Sequence, residues 1–518
     1  MFDLVINNGL IVDGNLTPAY LGNIGINGNR IIEISQGNLA GRIVYDATGL
    51  IVSPGFIDMH SHGDFLPILD DEYRLSRLKQ GITTEIVGQC GIGPIPYNEK
   101  TMAEYKLYTQ PILGDLKSKW EFTDFNSLSR LTEGKMPHNM GYLIGLSALR
   151  SYISGLEFRS LTSRELTEML TIYEEQLEQG ALGLSMGLSY LPGVFSSPEE
   201  LIALAKVTKK FNGIIMAHIR SHGKDMIKAI AEFVNLGRIT GVKIHISHCR
   251  SYKNKEFGIT AKQILEYINM VRKEGVDITL DQHPYTTGST FLNQLLPPED
   301  RDLDKYSDIN YSKLVEDKIA NKSYVVEGWD NLSLMVGFNN IYLPTYGYTI
   351  EELAIADGVS NFKELIDILK KENGKIAMVV KEMFDVEEIG VLLKDHKTYI
   401  GSDGLPSGRS HPRLYGAFPK LISDYVRARG DLSLEKAIIK MTGGKVVGLN
   451  NRGEISVGKI ADIVIFDLEV ISHEETYSGV NKSPIGIKRV IIDGKIAYKN
   501  GLVLGNYGQL IRRNSNND

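Results

Sequence analysis

Eight short apolar runs occupy the middle of this 518-residue chain, and most are followed by an amphipathic helical stretch. The runs are Ile51–Asp58, Thr83–Gly88, Gly141–Gly145, Gly183–Gly187, Ile214–Ile219, Lys243–Cys249, Asp277–Asp281 and Thr398–Asp403. Strand–helix alternation imposes a parallel sheet, because a parallel partner is reached only through a crossover connection. Eight such units in succession predict a (β/α)8 barrel. The helical stretches carry their own punctuation. "LTSRELTEMLTIYEEQLEQG" opens on a Thr162-x-x-Glu165 capping box and stops at Gly180, and "SPEELIALAKVTKKFNG" has Ser197 ahead of Pro198 and Gly213 as its terminator. The competing arrangement is an open doubly wound sheet, but no Gly-x-Gly-x-x-Gly follows the first barrel strand.

The two ends read differently. "DLVINNGLIVDG" and "NIGINGNRIIEIS" mix apolar runs with Asn-Gly and Asp-Gly turns, and "ADIVIFDL" and "IKRVIIDGKIAY" repeat the pattern near the C-terminus, with Asp493-Gly494 as a hairpin turn. Residues 1–52 and 452–518 are therefore expected to build one small sheet domain beside a barrel over 53–451. An irregular insertion is expected at about 288–344, and "KIAMVV" at 375–380 reads as a strand outside the eightfold count.

Composition removes several classes of function. Hydrophobic residues at 42% and charged residues at 23% describe a globular chain. Lys and Arg number 57 against 63 Asp and Glu, a net charge of −6, so no basic excess exists to hold a nucleic-acid backbone. Two cysteines, Cys90 and Cys249, make no disulfide framework, which points to a reducing, cytoplasmic setting. "MFDLVINNGLIVDG" has no basic then apolar leader pattern, and the longest uncharged stretch, Gln179–Pro198, is too broken by Gly and Pro to span a membrane.

Histidines sit at the ends of the proposed barrel strands, where barrel enzymes carry their sites. In "SPGFIDMHSHGD", residues two apart share a strand face, so Asp58, His60 and His62 are expected to point together into the barrel mouth as a metal clamp rather than a pair of core histidines. By the same parity, His218 pairs with Arg220, and His248 and Arg250 share a face with Ile244 and Ile246. His218 and His248 read as ligands and His245 as a structural residue directed at the helices. Asp403 in "YIGSDGLP" reads equally as a turn residue or as a carboxylate able to touch a metal and carry a proton. Cys90 in "TTEIVGQCGIGP" follows the second strand among glycines that let the thiol turn toward the mouth, whereas Cys249 has the opposite parity to His248 and receives no role.

These residues resemble the amidohydrolase superfamily: His60-x-His62, His218, His248 and Asp403 follow strands one, five, six and eight. The segments "VGQCGIGPIP", "AHIRSHG", "ISHCRSY", "HPYTTGST", "IGSDGLP", "HPRLYGAFPKLI" and "GEISVGKIADIVIFD" narrow the resemblance to N-acyl-D-amino-acid deacylases, over nearly the whole chain. The resemblance implies a distorted (β/α)8 TIM barrel with a small β-sandwich domain from both termini. It implies a tight zinc site at Cys90, His218 and His248, and a weaker second site at His60, His62 and Asp403 that shares the cysteine. Asp403 is implied as catalytic acid/base, and Arg250, Tyr285 and Arg413 as the binders of the substrate carboxylate. A lysine at the end of strand four, common elsewhere in the superfamily, is absent from "GLSMGLSY".

The expected activity is zinc-dependent hydrolysis of the linear amide of a small N-acyl-D-amino acid. The alternatives are a cyclic amide hydrolase, a D-amino-acid dipeptidase, or a metal-binding barrel without catalysis. Departures from the family pattern fall at Leu146, Ser221-His222, Arg250 and His283. His283 is expected to face the site by its parity with Asp281 and Tyr285, and His222 is left between site and surface.

Overall fold

The computed structural model describes residues 1–513 apart from 70–71, 115, 117–119, 121, 257, 321–330, 407–410 and 478–481. Eight parallel strands form the barrel: β1 Phe56–Asp58, β2 Ile82–Val87, β3 Asn139–Gly145, β4 Gly183–Gly187, β5 Ile214–His218, β6 Lys243–Ile246, β7 Ile278–Gln282 and β8 Thr398–Ile400. They pair in sequence order. Backbone bonds close the β1–β8 seam: Met59 N–H donates to Ile400 O (3.1 Å) and Asp403 N–H to His60 O (2.7 Å). Outside lie helices with the expected caps, including Ser163–Glu178 behind its Thr162 capping box and Pro198–Lys210 behind Ser197.

Register decides which side chains fill the barrel. Met216 stands beside His245, His245 beside Thr279, and Asp281 beside Tyr399, so these share the inner face. Ile244, one residue away, reaches toward Gly237 of the outer helix Met226–Thr240. His245 therefore points into the barrel, which corrects the expectation that it faces the helices. The parity count ran back from His248, but β6 ends at Ile246 and His248 adopts a left-handed backbone (φ +34°). Alternation does not survive that turn.

The first apolar run is also two strands. Ile51–Pro54 pairs antiparallel with Ile463–Phe466 in the terminal sheet, and Phe56–Asp58 enters the barrel. Gly55 permits the break, since a Cβ there would overlap the Thr83 side chain.

Both chain ends build one nine-stranded sheet. Phe2–Ile11 changes partners along its length: its first half lies parallel to Gly41–Asp46, and Leu10–Ile11 lie parallel to Ile51–Val52. A strand that switches neighbours turns a sheet over on itself. The far edge returns as Ile31 N–H donates to Lys459 O (3.0 Å) and Gly458 N–H to Ile31 O (2.8 Å). Leu4, Ile6, Ile24, Val52, Ile463 and Ile491 are buried in the enclosed core. Further on, Leu510–Ile511 leaves this sheet and pairs parallel with β3 of the barrel.

The insertion between β7 and β8 is more ordered and longer than expected. Gly288–Phe291, Ala377–Val380, Ile341–Leu343 and Tyr348–Thr349 form a four-stranded antiparallel sheet in that order. The unplaced "KIAMVV" supplies one of its two central strands. The insertion runs past Pro344, with the helices Ile350–Asp357 and Asn361–Lys371 between its last two strands in the chain. Residues 321–330 of the insertion lie outside the described residues. No helix among the described residues is long and apolar enough to cross a membrane.

Candidate active site

The site sits just past the C-terminal ends of the barrel strands. His218 is the last residue of β5, while His60 and His62 follow β1, Cys90 follows β2, His248 follows β6 and Asp403 follows β8. Three of these hold left-handed backbones: Cys90 at φ +55°, His248 at +34° and Asp403 at +51°. Such conformations cost a non-glycine residue about 1–3 kcal/mol and persist where the surroundings enforce them, commonly at functional sites. Around Cys90 the enforcement is visible, since Gly88 and Gly91 also take positive φ (+73° and +71°).

The ligand-type atoms converge. Cys90 Sγ lies 3.4 Å from His60 Nε2, 3.4 Å from His248 Nε2 and 3.9 Å from His218 Nδ1, and the last two nitrogens are 2.9 Å apart. Two overlapping triads able to hold a metal result, His60/His62/Cys90 and Cys90/His218/His248. Donors around a tetrahedral zinc stand roughly 3.3–3.6 Å from one another, and the observed spacings centre there. Protonation fits as well at the Cys90/His218/His248 triad. Burial raises the Cys90 thiol, but His60 and His62 outweigh it and lower its pKa, favouring thiolate. Burial, and then neighbouring imidazoles, hold His218 and His248 well below the usual histidine range, leaving the neutral rings a metal requires.

Asp281 organises this group from inside the barrel. Its Oδ2 accepts from His245 Nε2 (2.8 Å) and approaches His60 Nδ1 (3.3 Å), and its Oδ1 accepts from the His248 N–H (2.8 Å). A carboxylate on one imidazole nitrogen fixes the tautomer and aims the other nitrogen outward, here His60 Nε2 toward Cys90. Burial opposes ionisation of Asp281, but His60 and His245 hold its pKa well below the usual value.

Asp403 closes the group on the β8 side. Its Oδ1 lies 3.5 Å from His62 Nε2 and 3.7 Å from His60 Nε2, and its Oδ2 lies 2.9 Å from Arg413 Nη1 and 3.3 Å from Arg250 Nη2. Burial favours the protonated acid, but Arg413, His62 and His60 together hold Asp403 ionised. His283 Nε2 accepts from Arg413 Nη1 (3.2 Å) and from Arg250. His222 lines the same cleft, its ring 4.9 Å from that of His218 and 5.2 Å from that of His248. The insertion supplies much of one wall of that cleft.

Residues 44–297 and 383–498 match the model of the amidohydrolase family. The chain belongs to the amidohydrolase family. The unmatched stretch between the two blocks falls on the insertion. This amidohydrolase is 29% identical to the D-aminoacylase of Alcaligenes xylosoxydans xylosoxydans, over 99% of this chain and 98% of that protein. It is 30% identical to the N-acyl-D-glutamate deacylase of the same organism, over 99% and 97%. The crystal structure of the N-acyl-D-glutamate deacylase of Bordetella bronchiseptica, complexed with zinc and a phosphonate mimic of the tetrahedral intermediate, is similar at a TM-score of 0.82. The identity there is 26%, covering 99% of each chain.

Of the residues singled out in the amidohydrolase sequence, Cys90, His60, His62, His218, His248, Asp403, Arg250 and Arg413 are brought together. Tyr285 is not. Its buried hydroxyl donates to Pro412 O (3.3 Å) and lies 3.3 Å from His473 Nδ1 of the terminal domain, so it is withdrawn from the clamp and His283 stands between the arginines. Pro284 between them ends the alternation that had placed both on one face. His411 went unnoticed: its Nε2 donates to Thr287 O (3.0 Å) and its Nδ1 accepts the Arg413 N–H (3.1 Å), anchoring the segment that carries the arginine. Asp281 went unassigned too, although its shared face with Thr279 on β7 marked it as inward.

Proposed function

We propose that this amidohydrolase hydrolyses N-acyl-D-amino acids to a carboxylate and a free D-amino acid, with zinc held by Cys90, His218 and His248 and a weaker second position at His60, His62 and Asp403. The observation that carries the reading is the thiolate–imidazole group set directly against a carboxylate that two arginines flank. Bound there, zinc would polarise an amide carbonyl and make water a better nucleophile at neutral pH. Asp403 accepts the proton of the attacking water and delivers it to the leaving nitrogen, as base and then acid. Arg250 and Arg413 take the substrate's free carboxylate, for which the planar guanidinium offers paired N–H donors. Neutral His283 accepts from both and keeps the two forks side by side. Asp281 fixes the His60 ring. The D preference rests on the relatives' activities, and the cytoplasm suits a site that depends on a reduced thiol.

The test is turnover by the zinc-loaded protein of N-acetyl-D-amino acids beside their L enantiomers and hydantoins. Release of free D-amino acid, with L substrates and hydantoins at least tenfold slower, is the expected outcome. Faster opening of the hydantoin ring, or no turnover of any N-acyl amino acid, would overturn the reading.

A further inference from the structure

The terminal domain leaves one strand open. Among the described residues Gly41–Asp46 pairs with Phe2–Ile11 alone, so its other side is a sheet edge. Adjacent side chains of a strand point to opposite faces, yet Ile43 is 53% exposed and Val44 54%, so neither face is covered at the middle of the strand. Arg42 and Asp46 are exposed too, while Tyr45 is partly shielded by the Arg489 guanidinium over its ring (3.9 Å). Such an edge is a template for another strand, and natural proteins blunt it with proline, a bulge or charge. This strand has no proline, and its two charges are of opposite sign. Arg42 has only the exposed Asp3 near it (3.7 Å), and the Asp46 Oδ1 accepts from Thr48 Oγ1 (2.6 Å) and Asn8 Nδ2 (3.0 Å), which leaves Oδ2 for a guanidinium.

The backbone limits how a second copy of the strand can add. Phe2 N–H donates to Ala40 O (3.2 Å). Amide groups alternate sides along a strand, so those of Arg42, Val44 and Asp46 face Phe2–Ile11, and those of Ile43 and Tyr45 face the open edge. A twofold axis sets two copies of one strand antiparallel, and outward amides must then meet outward amides. The axis therefore passes through a residue rather than between two. Side chains choose which residue. With the axis at Val44, Arg42 lies opposite Asp46 of the second copy and Asp46 opposite its Arg42, Ile43 lies opposite Tyr45, and Val44 opposite itself. Moving the axis to Ile43 sets Arg42 against Val44, and moving it to Tyr45 sets Asp46 against Val44. Both lose the two ion pairs, so backbone and charge agree on Val44.

We propose that a second copy of this chain docks on the Gly41–Asp46 edge, about a twofold axis through Val44, and joins two terminal sheets into one. The cleft takes no part, so the inference is independent of the reaction. One added strand makes a small interface, and light scattering of the full chain should show a concentration-dependent monomer–dimer equilibrium. Arg42→Asp and Asp46→Arg each set like charges opposite one another at both pairs. Each variant alone should dimerise about tenfold more weakly, the scale of cross-strand charge pairs summed over two sites. An equimolar mixture of the two restores both pairs and should dimerise like the wild type. Cross-linking reads the register separately. Facing residues of a non-hydrogen-bonded antiparallel pair lie about 4.5 Å apart at Cα, within disulfide range. Val44→Cys should therefore oxidise to a covalent dimer and Ile43→Cys should not, Cys90 and Cys249 being buried. A wild type that stays monomeric up to about 0.3 mM, near the weak end of affinities, would overturn the proposal. So would a dimer that neither charge variant weakens, a mixture as weak as its components, or cross-linking as fast at Ile43→Cys as at Val44→Cys. If Asp46→Arg fails to fold for want of its bonds to Thr48 and Asn8, Arg42→Asp and the two cysteine variants decide the matter by themselves.

Discussion

Cys90 belongs to both metal-binding triads, so its removal should be felt at each. Cys90→Ala is expected to lose most bound zinc, measured by elemental analysis after dialysis, because the remaining donors are imidazoles and a carboxylate without the soft ligand that selects zinc. Cys249→Ala should keep its zinc, since burial and then Asp281 push that thiol up to about 12 and it joins neither triad. Full zinc content in Cys90→Ala would refute the assignment. Asp403→Asn retains the size of the side chain and an amide oxygen to accept from Arg413. It should fold and hold zinc at Cys90, His218 and His248, yet lose about 10²–10⁴-fold in kcat, the typical worth of a general acid–base. Turnover within a few-fold of wild type would leave Asp403 as a positioning group only.

The loop that carries His60 and His62 is pinned from below by one strand. Glu85 on β2 is fully buried: its Oε2 accepts from Ser61 Oγ (2.7 Å) and Arg77 Nε (2.8 Å), and its Oε1 lies 2.6 Å from His138 Nε2. Gly63 must be glycine here, because a Cβ would press on the Glu85 carboxylate. Burial raises the Glu85 pKa, but Arg77 and His138 overcome it and bring the carboxyl down to about 2. A depressed carboxylate stabilises the fold above its unfolded value, and that stability drains as pH falls through the folded value. Denaturation between about pH 4.5 and pH 2 should therefore show a loss on the order of 3 kcal/mol, and Glu85→Gln should flatten that segment of the curve. An identical acid limb in the variant would contradict this. The same scale explains what could be read in advance. Strand–helix alternation gave the barrel, and strand ends gave His218, His248, Cys90 and Asp403. Parity misplaced His245 because β6 stops before the site and the turn at His248 then sets the direction, while Tyr285, implied by the resemblance, has its hydroxyl on Pro412 O instead of in the clamp. The insertion sheet escaped because its strands are short and pair across intervening helices, leaving no local pattern.

At the scale of the molecule, the two ends of the chain act as fasteners for the middle. Leu510 and Ile511 are buried beside β3, and Arg513 donates to the carbonyls of Leu177 (2.8 Å) and Ala181 (3.2 Å). Deleting residues 506–518 should cost about 3–6 kcal/mol from the two apolar side chains alone, read as a lower urea midpoint. An unchanged midpoint would make the tail a passenger. The sheet domain extends the same logic to time. Arg30 donates to Gly458 O (2.7 Å) across 428 residues of chain, and a ribosome adding about 5–20 residues per second needs roughly 20–90 s to make that span. Throughout that interval the N-terminal strands have one another, but Ile51–Pro54 lacks its antiparallel partner Ile463–Phe466 and the Ile31 edge lacks Lys459, while the barrel strands emerge complete. A nascent chain paused near residue 450 would carry all eight barrel strands and half a sheet, so the last domain to finish folding is the one whose first strand was made first.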